Sequence, residues 1–248
     1  MGKLLDRNST EPALPLLVEG DRLTLDEFWR RYEADTEVLR AELIDGVVYV
    51  NSRRVIVDGK EMIVPPISAE GHGRPQNRIS TWLGFYSAYT PGVVASSPYS
   101  VRISNRNAPE PDALLEILPE FNDRFVEAGN SSLDNLPGLV VEIANTSVKR
   151  DLGPKFEAYQ VEGISEYIVW QTESEIIDWF VLKQKKYVPL KANAQGILQS
   201  KTFPGLWLDI AAIRDSNMAR VIDILKLGLA SPEHAGFVAK LQANAKRK

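Results

Sequence analysis

The chain of 248 residues has no cysteine and only two histidines, His72 and His234. Without thiols there is no disulfide framework, no thiolate nucleophile and no cysteine-based zinc or iron–sulfur site. Two histidines leave almost no material for a histidine-rich zinc site or a Ser/His/Asp triad. No apolar run nears the eighteen or so residues that a membrane helix requires. The opening Met1-Gly2-Lys3-Leu4-Leu5-Asp6 lacks the continuous apolar segment of a secretory signal, so a cytoplasmic protein without a membrane partner is expected. An excess of positive charge is also missing. A net charge of −4 argues against a surface that attracts nucleic acid all over, while allowing a local basic patch.

What remains for chemistry is carboxylates. Pro111-Asp112 opens the apolar run Ala113-Leu114-Leu115, and Glu142 lies inside Val140-Val141-Glu142-Ile143-Ala144. An acid in an apolar strand is costly unless a cation or hydrogen-bond donors answer it. If the two runs are neighbouring strands, Asp112 and Glu142 can converge on one divalent cation, for which hard carboxylate oxygens are suited. The same residue types also serve as strand-end acids bonded to backbone or paired with Arg102 or Lys155, and residue type alone leaves both readings open.

A composition of 44% hydrophobic and 25% charged residues is that of a folded globular protein of one large or two small domains. Residues 1–20 show no periodicity and read as a mobile arm. Thr24 with Glu27 forms a capping-box pattern before a helix to about Ala34, whose Leu25, Phe28, Trp29 and Tyr32 face a core. Two Asp-Gly pairs follow, Asp45-Gly46 and Asp58-Gly59, each between strand-like runs and each a hairpin signal. The first hairpin carries Glu42; the second leaves Arg53, Arg54 and Lys60 toward solvent. A helix is expected from Gln76 to about Tyr89, just after His72. Strands are expected at 93–95, 99–103 and 109–117, then a polar loop over 119–137 and a strand at 138–143, buried on both faces because its apolar residues are continuous. Asp151 is placed as the cap of a helix with Pro154 in its first turn, with Lys155 and Tyr159 one turn apart. A strand series from Glu166 to Leu190, a short strand near 204–210 and two helices, from Met218 and from Ser231-Pro232, complete the chain.

The order helix, hairpin with Glu42, helix, strand, strand with Asp112, strand with Glu142, helix with Lys155, strand resembles the PD-(D/E)XK nuclease superfamily. Within it, the chain resembles the bacterial restriction-endonuclease-like proteins called Uma-two endonucleases. The matching pieces are Glu42-Leu43-Ile44-Asp45-Gly46, His72, Pro111-Asp112, Val141-Glu142-Ile143, Asp151-Leu152-Gly153-Pro154-Lys155 with Tyr159, and Gly163-Ile164-Ser165-Glu166-Tyr167, spread over roughly Leu23 to Ile210. The resemblance implies an α/β (α+β) fold, a mixed sheet flanked by helices, over residues 21–210, with 211–248 as an added helical segment. It also implies Mg²⁺-dependent hydrolysis of DNA phosphodiesters, with Mn²⁺ as a substitute ion. Carried over by position, Glu42, Asp112 and Glu142 look like the acidic residues that hold the metal and Lys155 looks like the basic catalytic member; His72, near the start of its helix, serves either a plain surface or capping role or reaches the substrate phosphate. The superfamily pattern places lysine two residues after the glutamate, where this chain has Ala144, so Lys155 must reach back from the next helix. Cleavage of both strands is compatible with a twofold homodimer. The competing reading is a catalytically inactive nucleic-acid-binding or interaction module on the same fold; paired carboxylates alone also fit a glycoside hydrolase.

Overall fold

The computed structural model describes residues 14–64, 68–122 and 136–246. The first elements are α1 (Leu25–Ala34), capped by the Thr24 hydroxyl accepting from Glu27 N–H at 3.3 Å, and the strands β1 (Val38–Ile44), β2 (Val47–Val57) and β3 (Lys60–Val64). Both Asp-Gly pairs have positive φ at both residues, as tight hairpin turns demand, and β1-β2-β3 form an antiparallel sheet of their own. Ala41, Leu43 and Val48 bury one face of this sheet against Phe28.

A one-turn π-helix at Ala69–Gly73 leads into α2 (Arg74–Ala88) and β4 (Val93–Ser96). The segment 99–103, expected as a strand, is irregular: Val101 and Ile103 are buried, and their N–H groups bond to the carbonyls of Pro109 and Asn107. Prolines 109 and 111 delay regular pairing, so β5 runs only over Ala113–Ile117 and Asp112 sits just ahead of it. A 3-10 turn at Pro119–Phe121 follows; most of the expected 119–137 loop lies outside the described residues. Then come β6 (Leu139–Ala144), the short α3 (Val148–Asp151), α4 (Pro154–Glu162), and β7 (Glu166–Gln171), β8 (Ile176–Lys183) and β9 (Lys186–Pro189). Gly163, with φ +87°, ends α4 in the left-handed conformation that lets the chain turn back.

The six strands β4-β5-β6-β7-β8-β9 form one mixed sheet in sequence order, antiparallel except for β6 and β7, which are parallel across the α3–α4 connection. Its two faces bury separate clusters. Leu139, Val141, Ile143, Ile168 and Trp170 meet α2, while Val140, Ala144, Tyr167 and Val169 meet Tyr159 of α4. This alternation turns Glu142 toward the α4 side.

The last elements are the ladder β10 (Ile197–Gln199) with β11 (Trp207–Asp209), then α5 (Ile210–Arg214), α6 (Met218–Leu229) and α7 (Pro232–Ala245). Val221, Leu225 and Leu241 of these helices belong to the same cluster as Trp82, Tyr86 and Leu139. Residues 14–20 of the expected mobile arm are fixed: Leu17 is buried, and Gly20 N–H donates to the Val48 carbonyl at 2.8 Å. Arg53 is likewise not solvated, because its guanidinium donates to Leu17 O and lies 3.3 Å from Asp35. Among the described residues no helix is long and apolar enough to cross a membrane.

Candidate active site

Glu42 comes from β1, where alternation sends Ala41 and Leu43 into the core and Arg40 and Glu42 to the opposite face. Asp112 and Glu142 come from the large sheet. Ala113 pairs with Val141, so one residue further along the ladder Asp112 stands beside Glu142; the Asp112 carboxylate also accepts from Ile143 N–H at 2.8 Å. Lys155 comes from the first turn of α4 and is buried. Its Nζ lies 2.6 Å from Glu42 Oε1 and 2.7 Å from Glu142 Oε1, bridging the small sheet to the large one. Thus Lys155, absent from position 144, reaches the acids from the helix that follows.

Each acid is held by further donors. Glu42 accepts from Glu110 N–H and from the Asn51 amide, both at 2.7 Å. Glu142 accepts from the Tyr159 hydroxyl at 2.9 Å. Asp112 Oδ1 lies 3.1 Å from Arg40 Nη2 and 3.3 Å from His72 Nε2. His72 sits on the π-helical turn, which approaches β6 closely: a side chain at Gly71 would run into the Asn145 amide. The other imidazole nitrogen, Nδ1, lies 3.1 Å from the Ile143 carbonyl, so both nitrogens face acceptors. His72, partly exposed to the pocket, is thus held between Asp112 and Ile143 and does not cap α2, whose start has no side-chain cap.

The charges are not balanced evenly. Burial drives the Glu42 and Asp112 carboxyls up, but Lys155 and Arg150 around Glu42, and His72 and Arg40 around Asp112, hold both below the usual carboxylate range. Glu142 is different: burial, with Asp151, Asp112 and Glu42 adding to it, keeps its carboxyl well above that range despite Lys155. Lys155 is raised, since Glu142 and Glu42 outweigh the burial that opposes its charge. His72 is raised by its hydrogen bond to Asp112, against burial.

Asp151 was expected to cap the next helix. Instead it lies inside α3, while α4 starts after Gly153 without a side-chain cap. Its Oδ2 accepts from Ser147 at 2.5 Å, and its Oδ1 is buried without a hydrogen-bond partner, 3.9 Å from Lys155 Nζ. Sequence reasoning missed this role, although its i,i+4 spacing to Lys155 was the available signal. It missed Arg40 and Asn51 as well. Arg40 precedes Glu42 by two strand positions and so shares its face, while of the two cations considered for Asp112 and Glu142, Lys155 pairs with Glu142 and Arg102 instead stacks on Trp29 at 4.4 Å. Tyr86, Trp170 and Trp179 are core residues.

Glu42, Asp112, Glu142, Lys155 and His72 all line one open pocket of about 480 Å³. Among the described residues no three acids or histidines are grouped as a metal shell, because each acid already faces a cation. The donor set still suits a hard divalent ion: Glu42, Asp112 and Glu142 bring carboxylate oxygens to one pocket, and beside them Asp151 Oδ1 is buried without a hydrogen-bond partner.

The fold is that of an α/β protein, a mixed sheet flanked by helices with one open pocket lined by acids and cations. The Uma2 family, described as "Putative restriction endonuclease", matches residues 25–211, and the chain belongs to this family. Among solved structures, "a putative nuclease belonging to DUF820" from Anabaena variabilis ATCC 29413 is similar at 11% identity and a TM-score of 0.47, over 78% of this chain and 98% of that one. No curated protein matches the chain at a significant level.

Proposed function

We propose that this protein is a metal-dependent endonuclease that hydrolyses phosphodiester bonds of DNA. The observation that supports it most is Lys155 Nζ standing within 2.7 Å of both Glu42 and Glu142, on elements that belong to the family match. Asp112 and Glu142 would hold Mg²⁺, or Mn²⁺ in its place, with Glu42 completing the shell directly or through water. Bound there, the ion supplies polarisation of a phosphoryl oxygen and lowers the pKa of a water from about 15.7 toward neutrality.

The chain's own residues supply the rest. Lys155 remains an ammonium, since its acidic neighbours hold its pKa up, so it acts as a donor that orients the attacking water and offsets charge on the phosphorane-like transition state. It does not act as a general base. Tyr159 fixes the orientation of Glu142, and Arg40 fixes that of Asp112. His72, whose pKa is raised by its hydrogen bond to Asp112, presents an imidazole N–H to the substrate phosphate.

Incubation of supercoiled plasmid with the purified protein tests this reading, with Mg²⁺ or Mn²⁺ against a chelator. Nicked or linear product with either ion, and none with chelator or with Asp112→Asn, is expected. No cleavage with any divalent ion, or undiminished cleavage by Asp112→Asn, overturns it. One observation favours a second reading, a nucleic-acid-binding module without hydrolysis: Glu42, Asp112 and Glu142 each already have a cationic neighbour. That reading expects salt-dependent DNA binding and no product at all.

A further inference from the structure

Arg150 carries donors that the fold does not use. A guanidinium has five N–H groups in a planar fork. Among the described residues, Arg150 makes one hydrogen bond, from Nη1 to Asn51 Oδ1 at 2.6 Å. Its Nη2 is 3.8 Å from Glu42 Oε2, too far for a hydrogen bond, and its Nε is buried without a partner, 3.9 Å from Asp151 Oδ1. A purely structural arginine at a partly buried position satisfies its fork, because unmet buried donors are costly.

The side chain is nevertheless held in place. The face of Tyr49 lies 5.4 Å from its carbon Cζ, and Tyr49 and Asn51 share one face of β2. Stacking on an aromatic ring and a single amide anchor fix the plane of a guanidinium while leaving its edge open. That edge lines the same pocket as Glu142 and Lys155. Lys149, the residue before it, also lines the pocket and has no carboxylate within ion-pair distance among the described residues. Ser52 on β2 and Thr146 ahead of α3 add hydroxyls to the same wall. A guanidinium anchored through one nitrogen only, with an ammonium and hydroxyls beside it, matches the acceptor oxygens of a phosphate.

We infer that Arg150, supported by Tyr49 and Asn51 and joined by Lys149, is the clamp for a backbone phosphate of the nucleic acid beside the phosphate that is cut. The assignment rests on the nuclease reading for the identity of the phosphate, and on the geometry of β2 and α3 for the clamp itself. Such a contact positions the substrate without reading its sequence.

Binding of a short fluorescent DNA duplex, followed by anisotropy over a range of KCl concentrations with chelator present, separates the two. Each phosphate contact contributes about −0.9 to the slope of log affinity against log salt. Arg150→Ala is expected to flatten the slope by about one unit and to weaken binding roughly tenfold. Arg150→Lys keeps the charge and loses the fork, so it is expected to keep the slope but recover only part of the affinity. Circular dichroism of each variant at the same protein concentration establishes that it is folded. An unchanged slope in folded Arg150→Ala overturns the clamp even if the wild type cuts plasmid. A wild type that binds but never cuts, with the slope lost in Arg150→Ala, overturns the nuclease reading and leaves the clamp standing.

Discussion

A lysine enclosed by three acids is a tight electrostatic arrangement, and removing it leaves the acids facing one another. Lys155→Met is expected to destabilise the protein by about 3–5 kcal/mol, the range for breaking a buried ion pair, since Glu42 and Glu142 then share a dry space without their cation. Glu142 is already the acid most inclined to hold a proton, so Gln is a fair stand-in for its neutral form. Lys155→Met combined with Glu142→Gln should therefore be more stable than Lys155→Met alone. Urea unfolding of the four members of this cycle measures the coupling; a double variant whose loss equals the sum of the two single losses would mean that the pair carries no net interaction. At this scale the sequence disclosed which residues were expensive to bury, as Glu42, Asp112, Glu142 and Lys155 were all singled out from it. It did not disclose which charge answers which. Arg40 and Arg102 look alike in the sequence, and only the placement of β1 against β5 decides that the first faces Asp112 while the second lies on Trp29.

Elements with strong local signals were legible, and those fixed by contacts distant in sequence were not. Thr24, the two Asp-Gly turns and Ser231-Pro232 each mark their boundaries through short-range hydrogen bonding or forced φ, and α1, the hairpins and α7 begin or turn where those residues stand. The 99–103 segment has strand composition but bonds only to the irregular 107–109 stretch, an arrangement that β-propensity does not encode. Asp151 has the residue type of a helix cap and was drawn away by Ser147 and Lys155. The contact of α6 with the turn before β11 gives a measurable case. A Cβ on Gly228 would collide with the Gly205 carbonyl and come within 2.8 Å of Trp207, whereas a Cβ on Gly236 of α7 would meet nothing within 4 Å. Gly228→Ala is expected to lower stability by about 1–3 kcal/mol through overpacking, although alanine is the better helix former. Gly236→Ala, free of that collision, should raise stability by up to about 1 kcal/mol. Thermal unfolding of both variants checks the pair, and equal effects would show that the close approach at Gly228 is readily relaxed.

For the molecule as a whole, the sequence suggested an appended segment beginning near residue 211, because the family resemblance ends there. The helices do lie beyond the shared motifs, yet α5, α6 and α7 place Ile213, Val221, Leu225 and Leu241 in the cluster that supports α2 and the back of the large sheet. A chain ending at Asp215 would expose that face. It is expected to aggregate or to give no cooperative unfolding transition, which scanning calorimetry and light scattering would report; a truncated chain that melts cooperatively would show the helices to be dispensable. The mixed sheet itself was readable, since β6 is apolar without interruption and β8 and β9 alternate. That β1, β2 and β3 form a separate sheet was not, because strand composition does not say where hydrogen bonding between sheets stops. The two sheets touch through the bridge of Leu43 to Ala108 and through Lys155, which holds one glutamate from each. The groups of the proposed site thus lie on a seam rather than within either part, so on the nuclease reading a slight parting of the halves would disarm the protein while leaving each half intact.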